Sequence, residues 1–252
     1  MLDKRIFVLE VWGDFACFTR PEMKVERFTY PIITPSAARG IFDAIYCKPN
    51  QDGSQAEFRW QITRVEIFAQ PSYIALRRNE VKDKIFFKNS WLNGELPEPL
   101  IADGSILNMF GTDMKGRTQR QTIALKDVRY RIFGEIVPWY NFSNHIKAIE
   151  AQFERRAKNG KCIYQPYFGC REFPAFFELV NPDLEKEKSP LQDININIGL
   201  MLYDVFDLSR PGKNTDKPSI SVFDAKIQKG VMEIPPYESP QVCKTEGQIN
   251  HA

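Results

Sequence analysis

An α+β fold of ferredoxin-like topology is predicted by the order of the strong patterns: strand, helix, strand, strand, helix, strand. Two features sharpen it: a capped amphipathic helix follows the first strand region, and a charged, turn-rich segment interrupts the order before the third strand as an inserted arm. RNA-recognition modules (RRM) share this architecture. No RNP1-like run is present, so the fold alone does not place RNA across the sheet.

Residues 5–13 (RIFVLEVWG) are rich in β-branched and aromatic types and predict a buried strand. The stretch from Asp14 to Pro49 organises the chain. Its first half interleaves Arg20, Lys24 and Arg27 with Phe15, Phe18, Phe28 and Tyr30, a mixture suited to neutralising phosphates while bases stack on rings, or to plugging the core with those rings. Its second half predicts a helix. Thr34 caps it, Pro35 takes the first position, and Ala37, Ala38, Ile41, Phe42 and Ile45 form one apolar face, with Tyr46 at the end before the Lys48-Pro49 stop.

Residues 57–68 alternate as a strand with Phe58, Trp60, Ile62, Val65 and Ile67 inward, apart from one slip in phase near Thr63. From about 69 to 119 the pattern weakens, and only IFF and SILNMF suggest short strands within the arm, where little apolar surface offsets ordering entropy. TQRQTIALKDVRYRIFGEIVPW (118–139) predicts one long strand, with Arg117 and Arg120 near the base of the arm. A second helix follows: Ser143 is its expected cap, Ile146, Ile149, Phe153 and Ala157 recur at helical spacing, and Gly160 ends it. FPAFFELV is the last strand of this domain, assigned to 1–180. Residues 181–252 form an antiparallel β-sheet extension, with a turn at Gln228-Lys229-Gly230 and a loosely held tail from Pro235.

Among 252 residues the net charge is only +2, but residues 1–175 carry 26 Lys and Arg against 20 Asp and Glu, so the basic excess is local. No apolar run suits a secretion signal or a membrane span, which predicts a soluble, cytoplasmic protein with no membrane partner. Five cysteines with no C-x-x-C pair argue against a disulfide framework or zinc clasp. With two histidines, no P-loop and no dinucleotide fingerprint, the sequence predicts neither a bound metal nor an organic cofactor.

One reaction suits this inventory. The 2′-hydroxyl of RNA can attack the adjacent phosphate if the protein positions the strand, assists proton transfer and offsets the added charge; a tyrosine, a lysine and a histidine suffice. Tyr46 is either such a member or a core ring, and His145 either a proton carrier or a solvated helix-start residue. Cys47 reads as structural. Arg155, Arg156, Lys158 and Lys161 either complement the helix dipole or contact RNA.

The segments GDFACFTRPEMKVERFTYPIITPSAARGIFDAIYCKP, RRNEV, LKDVRYRI, FERRAKNG and QPYFGCREFPAFFEL resemble the CRISPR-associated Cas-five family of subtype I-C, the d-type or Dvulg branch of the RAMP proteins, across most of residues 5–235. The resemblance implies a ferredoxin-like domain with a C-terminal β-sheet extension. It also implies metal-independent cleavage of precursor CRISPR RNA within the repeat, leaving a 2′,3′-cyclic phosphate, and retention on the 5′ handle within the Cascade complex. The partners it implies are CRISPR RNA, the Cascade large subunit and backbone subunits, and, through the complex, target DNA.

The family's catalytic tyrosine falls on Tyr46. Its adjacent lysine-histidine pair falls on Ala148 and Ile149, which transfer no proton, so Lys147 and His145 are the substitutes in the same helix. The expected RNA contacts are Arg20, Lys24, Arg27, Arg39, Lys48, Arg117, Arg120, Arg155, Arg156 and Arg171. Either the chain is an endoribonuclease, or it is a non-catalytic subunit that grips the 5′ handle.

Overall fold

The computed structural model describes residues 5–23, 25–49, 56–81, 103–107, 113–115, 117–180, 189–212 and 216–244, with the backbone alone at 80–81, 103–107, 113–115 and 117. In chain order the elements are β1 (Ile6–Ala16), β2 (Arg27–Phe28), α1 (Pro35–Ile45), β3 (Phe58–Ile67), β4 (Ser72–Val81), β5 (Asp103–Leu107), β6 (Asp113–Lys115) and β7 (Arg117–Pro138). Then come α2 (Ile146–Lys158), β8 (Phe176–Leu179), β9 (Ile196–Asp204), β10 (Ser221–Ile227), β11 (Val231–Glu233) and β12 (Val242–Lys244).

The central sheet runs β11-β3-β7-β1-β8, and every neighbouring pair in that path is antiparallel. The expected long strand is β7. Its second half lies between β1 and β3, while its first half runs on to pair with β4 along the whole of Ser72–Val81. The phase slip near Thr63 is a β-bulge: Ile62 faces Gly134 and Arg64 faces Phe133, so Thr63 is extra and the inward set resumes at Val65. All five expected core positions of β3 are buried.

Both helices lie against the sheet through one aromatic cluster. Phe42 of α1 and Phe153 of α2 stand 4.6 and 4.5 Å from the Trp60 ring of β3, and Phe7 of β1 stands 4.9 Å from Phe153. Gly134 makes this approach possible: a Cβ there would lie 2.9 Å from the Phe42 ring. Thr34 caps α1 as expected, accepting from the Ala37 amide at 3.2 Å. Gly160, at φ +62°, follows the end of α2.

Four expectations are corrected. Ser143 does not cap α2; it lies in a 3-10 turn (Tyr140–His145) and donates to the Tyr140 carbonyl, and the helix starts at Ile146. The weakly patterned arm begins with a full strand, β4. SILNMF overlaps β5, whereas IFF lies outside the described residues. The C-terminal blocks do not form a separate sheet alone: β9, β10 and β12 pair together, but the Lys229-Gly230 turn sends β11 onto the edge of β3 in the central sheet. The tail from Pro235 is held as far as Lys244, with Tyr237 buried, Arg59 paired to Glu238 and β12 against β10. Among the described residues no helix is long and apolar enough to cross a membrane.

Candidate active site

The end of α1 carries the first functional side chain. Tyr46 leaves the helix in an extended conformation, its amide still bonded to the Phe42 carbonyl and its ring 5.7 Å from Phe58. Its own carbonyl accepts from Trp60 Nε1 at 3.2 Å. The carbonyl of Ile45, one of those a helix end leaves without an internal partner, accepts from Arg156 Nε at 2.7 Å. Burial raises the Tyr46 hydroxyl above its ordinary value of 10; Lys48 and Arg156 pull it down, and Glu57 pushes it up. It is therefore a protonated phenol at neutral pH, surrounded by charge of both signs.

Glu57 is the hub of that charge. Its side chain is only 6% exposed, yet Lys48 Nζ lies 2.8 Å and His145 Nδ1 3.5 Å from the same oxygen, Oε2. The Lys48 contact is an ion pair, and among the described residues no donor meets Oε2 with hydrogen-bond geometry. The backbone of Glu57 is fastened at both groups, its amide donating to the Lys48 carbonyl at 2.8 Å and its carbonyl accepting from the Trp139 amide at 3.0 Å. One residue thus ties the segment after α1, which bears Tyr46 and Lys48, to the segment before α2, which bears His145.

Of the residues expected to do chemistry, the fold brings Tyr46 and His145 to this point, joined there by Lys48 and Arg156 from the expected RNA contacts. Lys147 is exposed in the first turn of α2, and its charge bears on Glu150. Ile149, where the resemblance would place a histidine, is 1% exposed and shares the buried face of α2 with Phe153 and Ala157, so a side chain at that position points into the core. His145, four residues earlier and ahead of the helix, is about half exposed. Cys47 is pushed up to about 11 by burial and Asp43, which keeps it a thiol.

The remaining cations are scattered. Arg39, expected to contact RNA, is 17% exposed and bonded to Asp204 at 2.8 Å and Asp43 at 2.7 Å, and although burial opposes its charge, the two carboxylates hold it protonated. Arg20 lies 4.7 Å over the Tyr30 ring and 3.7 Å from Glu22, and Arg27 lies 3.7 Å from Glu172, which also pairs with Arg78 of β4. Arg120 stands opposite Arg78 across the β4–β7 pair. Arg155 bonds Gln152, and Arg171 is exposed in the turn after Cys170. Lys24 lies outside the described residues, as does the side chain of Arg117. Of the four rings in the basic stretch, Phe18 and Tyr30 are core residues and Phe28 is exposed.

A cavity of about 280 Å³ runs between the Cys17–Thr19 segment and α1, lined also by Tyr164 and Tyr167. Among the described residues, no three His, Cys, Asp or Glu side chains cluster as metal ligands. Glu57 escaped the sequence reading; its partners are distant in the chain, and a lone glutamate before a strand carries no pattern.

The fold is shared with a crystal structure of a CRISPR-associated protein, at a TM-score of 0.61, 20% identity and coverage of 95% of this chain and 96% of that one. The family described as CRISPR-associated protein (Cas_Cas5), d-type, matches residues 6–235. Two relatives named CRISPR pre-crRNA endoribonuclease Cas5d align over nearly their whole lengths. The one from Mannheimia succiniciproducens is 36% identical over 239 residues (93% of this chain, 96% of the relative), and that from Thermus thermophilus 34% over 250 (94% and 95%). The chain belongs to the Cas5 family, type I-C.

Proposed function

We propose that this chain cuts precursor CRISPR RNA within its repeat, without a metal ion, and remains on the 5′ handle as a Cascade subunit. The observation that carries the reading is the meeting of Tyr46, Lys48 and His145 around the buried carboxylate of Glu57. The relatives' name, pre-crRNA endoribonuclease, supports the activity. The order β3-β7-β1-β8, with one helix in each crossover, supports a ferredoxin-like RAMP scaffold.

In this reading the RNA supplies its own nucleophile. His145 Nε2 takes the proton of the 2′-hydroxyl, the 2′-oxygen forms a bond to phosphorus, and the bond to the 5′-oxygen breaks as Tyr46 returns a proton to it. Lys48 and Lys147 offset the charge of the phosphorane. The raised Tyr46 hydroxyl suits a proton donor better than a base. Arg20, Lys24, Arg27, Arg120 and Arg171 hold the backbone of the handle.

Excess chelator with repeat RNA tests this directly. Wild type is expected to make one internal cut, and Tyr46→Phe to slow it at least about 10²-fold with RNA still bound. Equal rates would remove Tyr46 from the chemistry. A second reading, a subunit that only grips the handle, is favoured by the absence of the adjacent lysine-histidine pair at Ala148 and Ile149; it predicts tight binding of intact RNA.

A further inference from the structure

The structure places a buried anion where the proposed chemistry needs an oriented imidazole. We infer that Glu57 is a positioning residue: its carboxylate accepts the Nδ1 proton of His145, fixing the ring so that Nε2 faces the RNA. This rests on the proposed role of His145.

Three observations carry it. Glu57 Oε2 is buried and pairs with the Lys48 ammonium at 2.8 Å, and among the described residues no donor meets it with hydrogen-bond geometry, so it has room to accept one. His145 Nδ1 lies 3.5 Å from that oxygen, and the ring is half exposed on a short 3-10 turn, so a small rotation closes the bond. The backbone of Glu57 is bonded to both Lys48 and Trp139, and its side chain is buried, which keeps the carboxylate between the segments that bear Tyr46 and His145. In a neutral imidazole a proton held at Nδ1 leaves the Nε2 lone pair free to accept the 2′-hydroxyl proton. The imidazolium formed by that transfer then lies against a carboxylate.

The test uses the full chain with labelled histidine nitrogens, His251→Gln removing the second histidine. At a pH where the ring is neutral, wild-type His145 is expected to carry its proton on Nδ1, and Glu57→Gln to shift the population toward Nε2–H. In single-turnover cleavage, Glu57→Gln is expected to lose roughly 10²-fold in rate with unchanged RNA affinity, and Glu57→Gln/His145→Ala to be no slower than His145→Ala alone. A wild-type ring protonated at Nε2, or a Glu57→Gln protein that cuts at the wild-type rate, overturns the assignment. If wild type cuts no RNA at all, the proposed activity falls, while the tautomer measurement, which needs no turnover, still decides the role of Glu57.

Discussion

Arg156 of α2 donates through Nε to the backbone carbonyl of Ile45, the last residue of α1, at 2.7 Å. The guanidinium therefore serves another helix as well as its own. It satisfies a carbonyl that the helix end leaves open, places a cation at the negative end of the α1 dipole, and draws the two helices together beside Tyr46. Removing it leaves that carbonyl without this donor. Arg156→Ala is expected to cost about 1–3 kcal/mol in urea unfolding and to slow cleavage. A variant of wild-type stability would show that water replaces the contact.

Arg39 makes the opposite case. Its partner Asp204 is 1% exposed and joins α1 to the end of β9, so breaking the pair strands a buried charge. Arg39→Met should destabilise by about 3–5 kcal/mol and leave RNA affinity unchanged. A loss of RNA affinity without loss of stability would return Arg39 to the RNA surface.

The raised hydroxyl of Tyr46 sets a pH expectation. A proton donor works while protonated, and burial shifts its loss of the proton to above its ordinary value of 10. The cleavage rate should therefore show no alkaline decline that depends on Tyr46 below about pH 10. Comparing pH–rate profiles of wild type and Tyr46→Phe checks this; a Tyr46-dependent decline near pH 8 would contradict it.

For the handle grip, Arg20→Ala with Lys24→Ala should weaken RNA binding and flatten its salt dependence by up to about two phosphate contacts, near 0.7 of a log unit per contact for single strands. Titrations at several salt concentrations read this. An unchanged slope would move the grip elsewhere.

Much of the scaffold was legible because local chemistry and tertiary structure agree. Thr34 and Pro35 start α1 where a cap and a missing amide are wanted, and even the phase slip at Thr63 marks a real bulge. β4 was hidden because, among its described side chains, Ile74 and Leu76 are the half-buried apolar ones, too few to register as alternation ahead of the charged residues from Arg77. The rings of Phe18 and Tyr30 match a base-stacking surface in composition, and only the fold reveals that they are buried. Tyr46 and His145 could be named from the sequence, whereas the carboxylate between them could not: its role comes from the close approach of two segments that meet only in the folded sheet.

The most direct measurement is the chemistry of the cut ends. Purified protein incubated with its repeat RNA in excess chelator should release an upstream fragment whose mass corresponds to a 2′,3′-cyclic phosphate and a downstream fragment with a free 5′-hydroxyl. Fragments with a 3′-hydroxyl and a 5′-phosphate, or RNA that stays whole while bound, would contradict attack by the 2′-oxygen at Tyr46 and His145.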